Sequence, residues 1–437
     1  MACLASGNAL PQSKAIEIFE ERVKQDPRDG ISYTILGDLY LRDARQSGSL
    51  AAYEKAGEAL RQALKLQPGD PGASASLASL LYSEHRFTEA LELAEATYRK
   101  DARFIQALVT VADAKMSLGR YEEAGKTYQE LSQKSSSPPL LARIAYLEFL
   151  KGDTEKALAQ MLRAAAERRA TDETTEGAAW YELRLGDLYL GAGRLEEARP
   201  HYQEALNTAT GYDRAMAEAG MGNLEAAQGD LDQAIASYER AIHLHPQPSL
   251  LAALGDLYQK KGKSAEAQRQ YDAVRLLAGS APLNESVYMR ELSLFFSDHD
   301  VELPRALELA KQDWSARQDI YGADALAWAL YKNGRFAEAA EALQEATKLN
   351  TKDARLYYHA GLIWQALKDS TQAREALKKA LAINPHFSVL QADHARLALA
   401  EINNPPLGSG TLLAGVALAM VLALVGRSLL SRKRKSF

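Results

Sequence analysis

The amino-acid sequence predicts an all-α fold: an α-solenoid of about ten helical hairpins followed by one C-terminal transmembrane helix. Three observations carry this expectation. Strand signals are almost absent. One pattern returns in "LRLGDLYLGAGRLEEARPHYQEAL" (183–206), "AALGDLYQKKGKSAEAQRQYDAV" (252–274) and "YHAGLIWQALKDSTQAREALKKALAINP" (358–385). An uncharged run at 407–426 lies between a Pro/Gly/Ser stretch and a basic cluster.

The repeat explains the length. The chain of 437 residues is too long for one ordinary core, and a stack of equivalent units removes the need for one. Charged residues make up 25% and hydrophobic residues 47%, as in ordinary folded proteins. The net charge is −5, and Arg427, Arg432, Lys433, Arg434 and Lys435 contribute +5, so residues 1–426 carry −10. An acidic body argues against broad nucleic-acid binding, which needs a basic face, whereas the basic tail suits anionic lipid headgroups. Cys3 is the single cysteine, which excludes an intrachain disulfide and a cysteine-based zinc site. "MACLASGNALP" (1–11) lacks the basic start and long apolar stretch of a signal peptide.

Each copy of the pattern reads as a helical hairpin. Gly186, Gly222, Gly255 and Gly361 let two helices approach closely. Ala198, Ala234, Ala267 and Ala373 follow each by 12 residues and suit the facing contact. Tyr202, Tyr238, Tyr271 and Leu377 then fill the space between neighbouring hairpins. Pro246 and Pro385 end second helices. One hairpin cannot bury its apolar face, so the units must stack.

This pattern resembles the tetratricopeptide repeat (TPR) family over roughly residues 12–403, with Gly222 to Gly255 spanning 33 residues and Ala327 to Gly361 spanning 34. The likeness extends to exported, membrane-anchored bacterial TPR proteins. It implies a right-handed superhelix. The small first-helix residues are Gly37, Ala78, Ala112, Ala145, Gly186, Gly222, Gly255, Ala327 and Gly361.

In chain order, "KAIEIFEERVKQDP" reads as a second helix whose partner would begin before Met1. The solenoid covers 12–385. Its first full repeat is stretched: Gly37 to Pro68 is 31 residues where about 24 are expected for the repeat. The extra residues are expected to lengthen the hairpin turn around "ARQSGSLAAYEK". A degenerate repeat at 281–318, "SLFFSDHDVELPRALELAKQDW", lacks the small-residue signature, and a bend of the superhelix is expected there. Residues 386–403 read as a capping helix and 404–410 as a Pro/Gly/Ser linker. The span at 407–426 rises about 30 Å as a helix, enough for a bilayer, and 427–437 is a basic tail.

No catalytic residues, metal site or cofactor are predicted. Eight histidines are scattered with no HExxH. Asp298, His299 and Asp300 in "SDHDVE", and His243 with His245 in "HLHP", are the only metal-like groupings, and turn or helix-end roles account for both. P-loop and strand-following GxGxxG motifs are absent. The expectation is a non-enzymatic scaffold. Its rival from another class is a metal-dependent enzyme near His299.

The resemblance implies that first helices line a concave, partner-binding groove. The positions facing it are Asp38, Asp113, Asp187, Asn223 and Asp256, with aromatic side chains that include Trp180, Trp328 and Tyr358. Asn223 has both a donor and an acceptor for an extended peptide backbone. The aromatics suit partner side chains. Chaperone-binding relatives clamp a C-terminal carboxylate with Lys, Asn and Arg. Acidic residues at the matching positions predict a basic or neutral peptide instead, with no nucleic acid and no small-molecule substrate.

Five basic residues after the span place the C-terminus in the cytoplasm by the positive-inside rule, and hence the solenoid outside it in a bacterium. Ala2-Cys3 is similar to the end of a lipoprotein signal whose apolar part would lie upstream. The alternative is a tail-anchored protein of an organelle membrane with a cytosolic solenoid.

Overall fold

The computed structural model describes residues 12–170, 176–279 and 288–404. Twenty-two helices run through these residues. A single helix, α1 (Gln12–Gln25), opens the stack. Ten hairpins follow. They are α2 (Gly30–Ser47) with α3 (Leu50–Leu66), α4 (Pro71–Ser83) with α5 (Phe87–Lys100), and α6 (Ile105–Ser117) with α7 (Tyr121–Lys134). Next come α8 (Pro138–Leu150) with α9 (Thr154–Ala170), α10 (Glu176–Gly191) with α11 (Leu195–Thr208), α12 (Gly211–Gln228) with α13 (Leu231–Leu244), and α14 (Pro248–Lys260) with α15 (Ser264–Gly279). The last three pairs are α16 (Met289–Asp298) with α17 (Leu303–Ala316), α18 (Ile320–Lys332) with α19 (Phe336–Thr347), and α20 (Ala354–Ala366) with α21 (Ser370–Ile383). α22 (Gln391–Asn403) packs Ala395 and Ala398 over Leu377 and Ala380 of α21.

Local chemistry sets the helix boundaries. Asp29, Asp70, Asp319, Asp353 and Asp369 accept backbone N–H bonds at the starts of α2, α4, α18, α20 and α21. Second helices use another device. Arg86, Arg120, Arg194 and Arg335 precede α5, α7, α11 and α19, and each grips a glutamate three residues on. These pairs are exposed and hold the turn shape more than they add stability.

Packing follows the small-residue register. The Tyr202 ring is fully buried between two first helices: a methyl group at Gly186 of α10 would lie 2.6 Å from its Cε1, and one at Gly220 of α12 would lie 2.4 Å from it. Only a residue without Cβ admits the ring on both sides. The stretched first hairpin corrects an expectation. Its turn is only Gly48 and Ser49, and the extra residues lengthen α2 to 18 and α3 to 17. Alanine-rich helical sequence continues the helix more readily than it forms a loop.

The degenerate unit keeps the hairpin. Ser293, fully buried, takes the small-residue position and donates from Oγ to the Ala306 carbonyl at 2.8 Å. Ala306 follows Ser293 by 13 residues instead of 12, and the extra one lies in the turn, where Asp300 and Glu302 adopt positive φ. Seven residues after the facing alanine, most second helices place an apolar residue, as in Ala205, Ala241, Val274 and Ala346. α17 places Asp313 there, 4% exposed. Arg290 of α16 answers it, with Nε 2.9 Å from Asp313 and Nη2 2.9 Å from Asp319.

The stack turns back on itself. Ile320 N–H donates to the Tyr121 hydroxyl at 2.8 Å, across 199 residues. Thr351 Oγ1 donates to the Leu150 carbonyl across 201 residues, and Asn384 Nδ2 to the Leu190 carbonyl at 2.9 Å across 194. These separations correspond to about six repeats, so helix starts of the second superhelical turn rest on hairpin turns of the first. Ile320 and Leu356 complete the apolar cluster of Leu108, Leu147 and Leu150 along this seam. Gly119, at φ +69°, lets the Gln318 carbonyl come so close that a Cβ would sit 2.2 Å from its oxygen. Among the described residues no helix is long and apolar enough to cross a membrane. The predicted span at 407–426, the linker from 405 and the basic tail lie outside them.

Candidate binding channel

Closure of the seam converts the concave face into a channel with two connected chambers. The proximal one, about 840 Å³, is walled by first helices α4 to α10 and by the α17–α18 junction. The distal one, about 1020 Å³, is walled by α10, α12, α14, α16 and the starts of α18, α20 and α22. Phe149, Asp187, Gly191, Arg290 and Tyr321 line both.

The predicted groove residues divide into three groups. Asp113, Asp187, Asn223 and Asp256 do line the channel, but each first serves its own hairpin. The tyrosine fifteen residues on donates its buried hydroxyl to it: Tyr128 to Asp113 at 2.8 Å, Tyr202 to Asp187 at 2.9 Å, Tyr238 to Asn223 at 2.8 Å and Tyr271 to Asp256 at 2.9 Å. Burial and then the Asp113 charge push the Tyr128 hydroxyl well above its ordinary range, so it remains a donor at every ordinary pH. Each carboxylate also holds a cation. Arg143 Nε lies 2.8 Å from Asp113, Arg184 Nη1 3.1 Å from Asp187, and His299 Nε2 2.8 Å from Asp256. This pairing gives three of the four acidic positions, Asp113, Asp187 and Asp256, a basic side chain from the same or an adjacent hairpin, so those carboxylates do not call for a basic partner.

Trp328 and Tyr358 form the second group and are corrected. They are 2% and 3% exposed, within the core between the last hairpins. Trp328 stacks on His359 at 4.1 Å and donates Nε1–H to Asp298 at 2.7 Å, while the Tyr358 hydroxyl meets His394 Nδ1 at 2.7 Å. Trp328 has the same first-helix position as Tyr146, one residue after the small residue, but α22 and the next hairpin cover it. Asp38 is the third case: it is bonded to Ser76, where Arg42 and Arg45 are close, and lines neither chamber.

Trp180 remains as predicted on the proximal wall, 37% exposed, its ring 5.1 Å from Tyr181 and 5.8 Å from the Arg184 guanidinium. Tyr146 faces the same space at 46% exposure. Sequence reasoning missed the cations beside them. Arg184, Arg290 and Arg317 lie outside the consensus register, and the only signal was Asp313 at an apolar position. Arg317 Nη2 reaches His85 Nδ1 at 2.9 Å across the seam. Burial, then Arg317 and Arg290, lower His85 to about 3, so it accepts that bond as a neutral ring.

The metal-like grouping in "SDHDVE" points to three separate partners. Asp298 accepts from Trp328 and Gln391, His299 bridges the Phe295 carbonyl and Asp256, and Asp300 pairs with Lys332 at 2.7 Å. Burial opposes the charged form of His299, yet the Asp256 bond and charge and the Phe295 carbonyl together raise its pKa. His245 ends α13 edge-on to Tyr212 at 5.2 Å. Among the described residues no three His, Cys, Asp or Glu side chains converge as metal ligands do.

Tetratricopeptide repeat models match residues 52–103, 183–248 and 325–386, and a second such model matches 139–211, together just over half of the chain. The chain is 26% identical over 276 residues to cellulose synthase operon protein C of Pseudomonas fluorescens (strain SBW25). That match covers 56% of this chain and 19% of the relative's length. It is 22% identical over 339 residues to the TPR repeat-containing protein YpiA of Bacillus subtilis (strain 168), 75% of each chain. Yeast Tom70 is a similar solved structure, at 13% identity and a TM-score of 0.34, over 92% of this chain and 95% of that one.

Proposed function

Since the chain belongs to the tetratricopeptide repeat family, we propose that it is a non-enzymatic scaffold that holds an extended segment of a partner protein inside its channel. The observation that carries this reading is the exposure of Trp180 and Tyr146 on the channel wall, within a superhelix otherwise sealed along its seam. Aromatic side chains kept open on a concave wall favour burial by a partner. A photo-crosslinking amino acid at Trp180 or Tyr146 is expected to trap a protein in cells. The same group at Leu276, 76% exposed and lining neither chamber, is not. No channel-specific adduct would overturn the reading.

Residues 407–426 tether this scaffold to a membrane, with the solenoid on the extracytoplasmic side of a bacterium. Support comes from the uncharged run and the basic cluster behind it. A tether confines the search for partners to the membrane surface and raises their local concentration there. Protease added to spheroplasts should digest the solenoid. Protection until lysis would favour the tail-anchored, cytosol-facing arrangement instead.

A further inference from the structure

The hydrogen-bonding capacity left over in the proximal chamber is one-sided. Its three lining carboxylates are all engaged: Asp113 by Tyr128 and Arg143, Asp187 by Tyr202 and Arg184, and Asp319 by Arg290 and the Gly322 N–H. Tyr121 already accepts from Ile320, and neutral His85 already accepts from Arg317. The donors are in excess. Arg184 and Arg317 are ion-paired, Arg184 with Asp187 and Arg317 Nε with Asp313 at 3.6 Å, but each keeps a buried Nε–H with no hydrogen-bond acceptor, which carries a desolvation cost. The indole N–H of Trp180 and the hydroxyl of Tyr146 have no partner among the described residues. Two guanidinium N–H groups without a hydrogen-bond acceptor and two open aromatic rings therefore share one cavity.

We infer that the proximal chamber recognises a partner segment carrying side-chain carboxylates next to aromatic residues. This rests on the channel reading and names the chemistry of its occupant. A carboxylate gives the guanidiniums acceptors in a space where they are partly desolvated, and such charge-assisted bonds are about twice as strong as neutral ones. Small rotations of Arg184 and Arg317 toward it bring their buried Nε–H groups into use. Aromatic side chains of the segment pack on Trp180 and Tyr146. A lysine- or arginine-bearing segment adds donors where four lining arginines face three carboxylates that are already ion-paired and hydrogen-bonded, the reverse of what the acidic first-helix positions imply when read alone.

The test uses the full chain in mild detergent and blocked, amidated octapeptides labelled with an uncharged boron-dipyrromethene fluorophore, so that only side-chain carboxylates are present. One carries three Glu and two Phe, a second has Lys for each Glu, and a third has Ala for each Phe. Fluorescence anisotropy should show the Glu/Phe peptide binding about ten-fold or more tightly than either control. Arg184→Gln and Trp180→Ala should each weaken it about five-fold or more. Unchanged exchange of the Ile320 amide would confirm that these variants keep the seam. Equal or tighter binding of the Lys/Phe peptide, or no response to both substitutions, would overturn the inference. Crosslinks from Trp180 together with such a peptide result would leave the channel reading standing and remove only its chemistry.

Discussion

Replacing Tyr202 by phenylalanine removes one hydroxyl and keeps the ring that two first helices enclose. The ring is fully buried and its hydroxyl lies 2.9 Å from Asp187, so neither cavity nor rearrangement is introduced. A hydrogen bond to a charged acceptor contributes about 1.5–3 kcal/mol. The Asp187 side chain is 40% exposed and retains Arg184, so water replaces part of the lost bond, and a cost of about 1–2 kcal/mol remains. Tyr238→Phe is the internal control. Its acceptor is the neutral Asn223, and about 0.5–1.5 kcal/mol is expected. Urea unfolding of the full chain reads the midpoint shift, and amide exchange in α10 to α12 localises it, since a stacked array opens by neighbouring units. A Tyr202→Phe variant as stable as the parent, or a larger loss at Tyr238, would refute the view that the groove aspartates are engaged within their own hairpins.

Three further outcomes are expected. His85 is neutral in the folded chain and held to about 3, below its ordinary 6.5. Its contribution is complete above 6.5 and is lost as pH falls toward 3, by about 1.4 kcal/mol per pH unit. His85→Gln should remove that part of the acid sensitivity in thermal scans, and identical pH profiles would contradict it. His299 is raised by Asp256, so its contribution is present below 6.5 and disappears as pH rises through the folded value; His299→Asn should flatten stability in that window above 6.5, measured by urea midpoints. Gly119→Ala places a Cβ against the Gln318 carbonyl and forces a left-handed conformation costing about 1 kcal/mol or more, so Ile320 amide exchange should accelerate while α12 to α15 stay protected.

The periodic elements were legible because their determinants are local. A small residue, an alanine 12 positions on and a tyrosine four further lie on two adjacent helices, and both ends of each contact fall within one repeat. The Tyr202–Asp187 bond is equally local, fifteen residues apart, yet in the sequence Asp187 reads as a groove residue and Tyr202 as inter-hairpin packing, because position alone does not say which way a shared face is satisfied. Trp328 occupies the register of a groove aromatic, and only the arrival of α22 and the next hairpin decides that it is core. The same holds for turn length in the first repeat, where helix propensity outweighed a loop-like composition.

What the sequence by itself determined is the hairpin, its register and the stacking of ten such units after a single opening helix. The tertiary structure decided the rest. The rotation from one hairpin to the next is small, and only its sum over about six repeats determines whether the two turns of the superhelix meet. That sum brings Tyr121 to Ile320 and His85 to Arg317, pairs 199 and 232 residues apart with no shared period. It also closes an open groove into a channel and sets Arg184 and Arg317 beside Trp180 and Tyr146. Short-range spacing encodes helix pairing, whereas the chamber's chemistry depends on the curvature that accumulates along the whole stack.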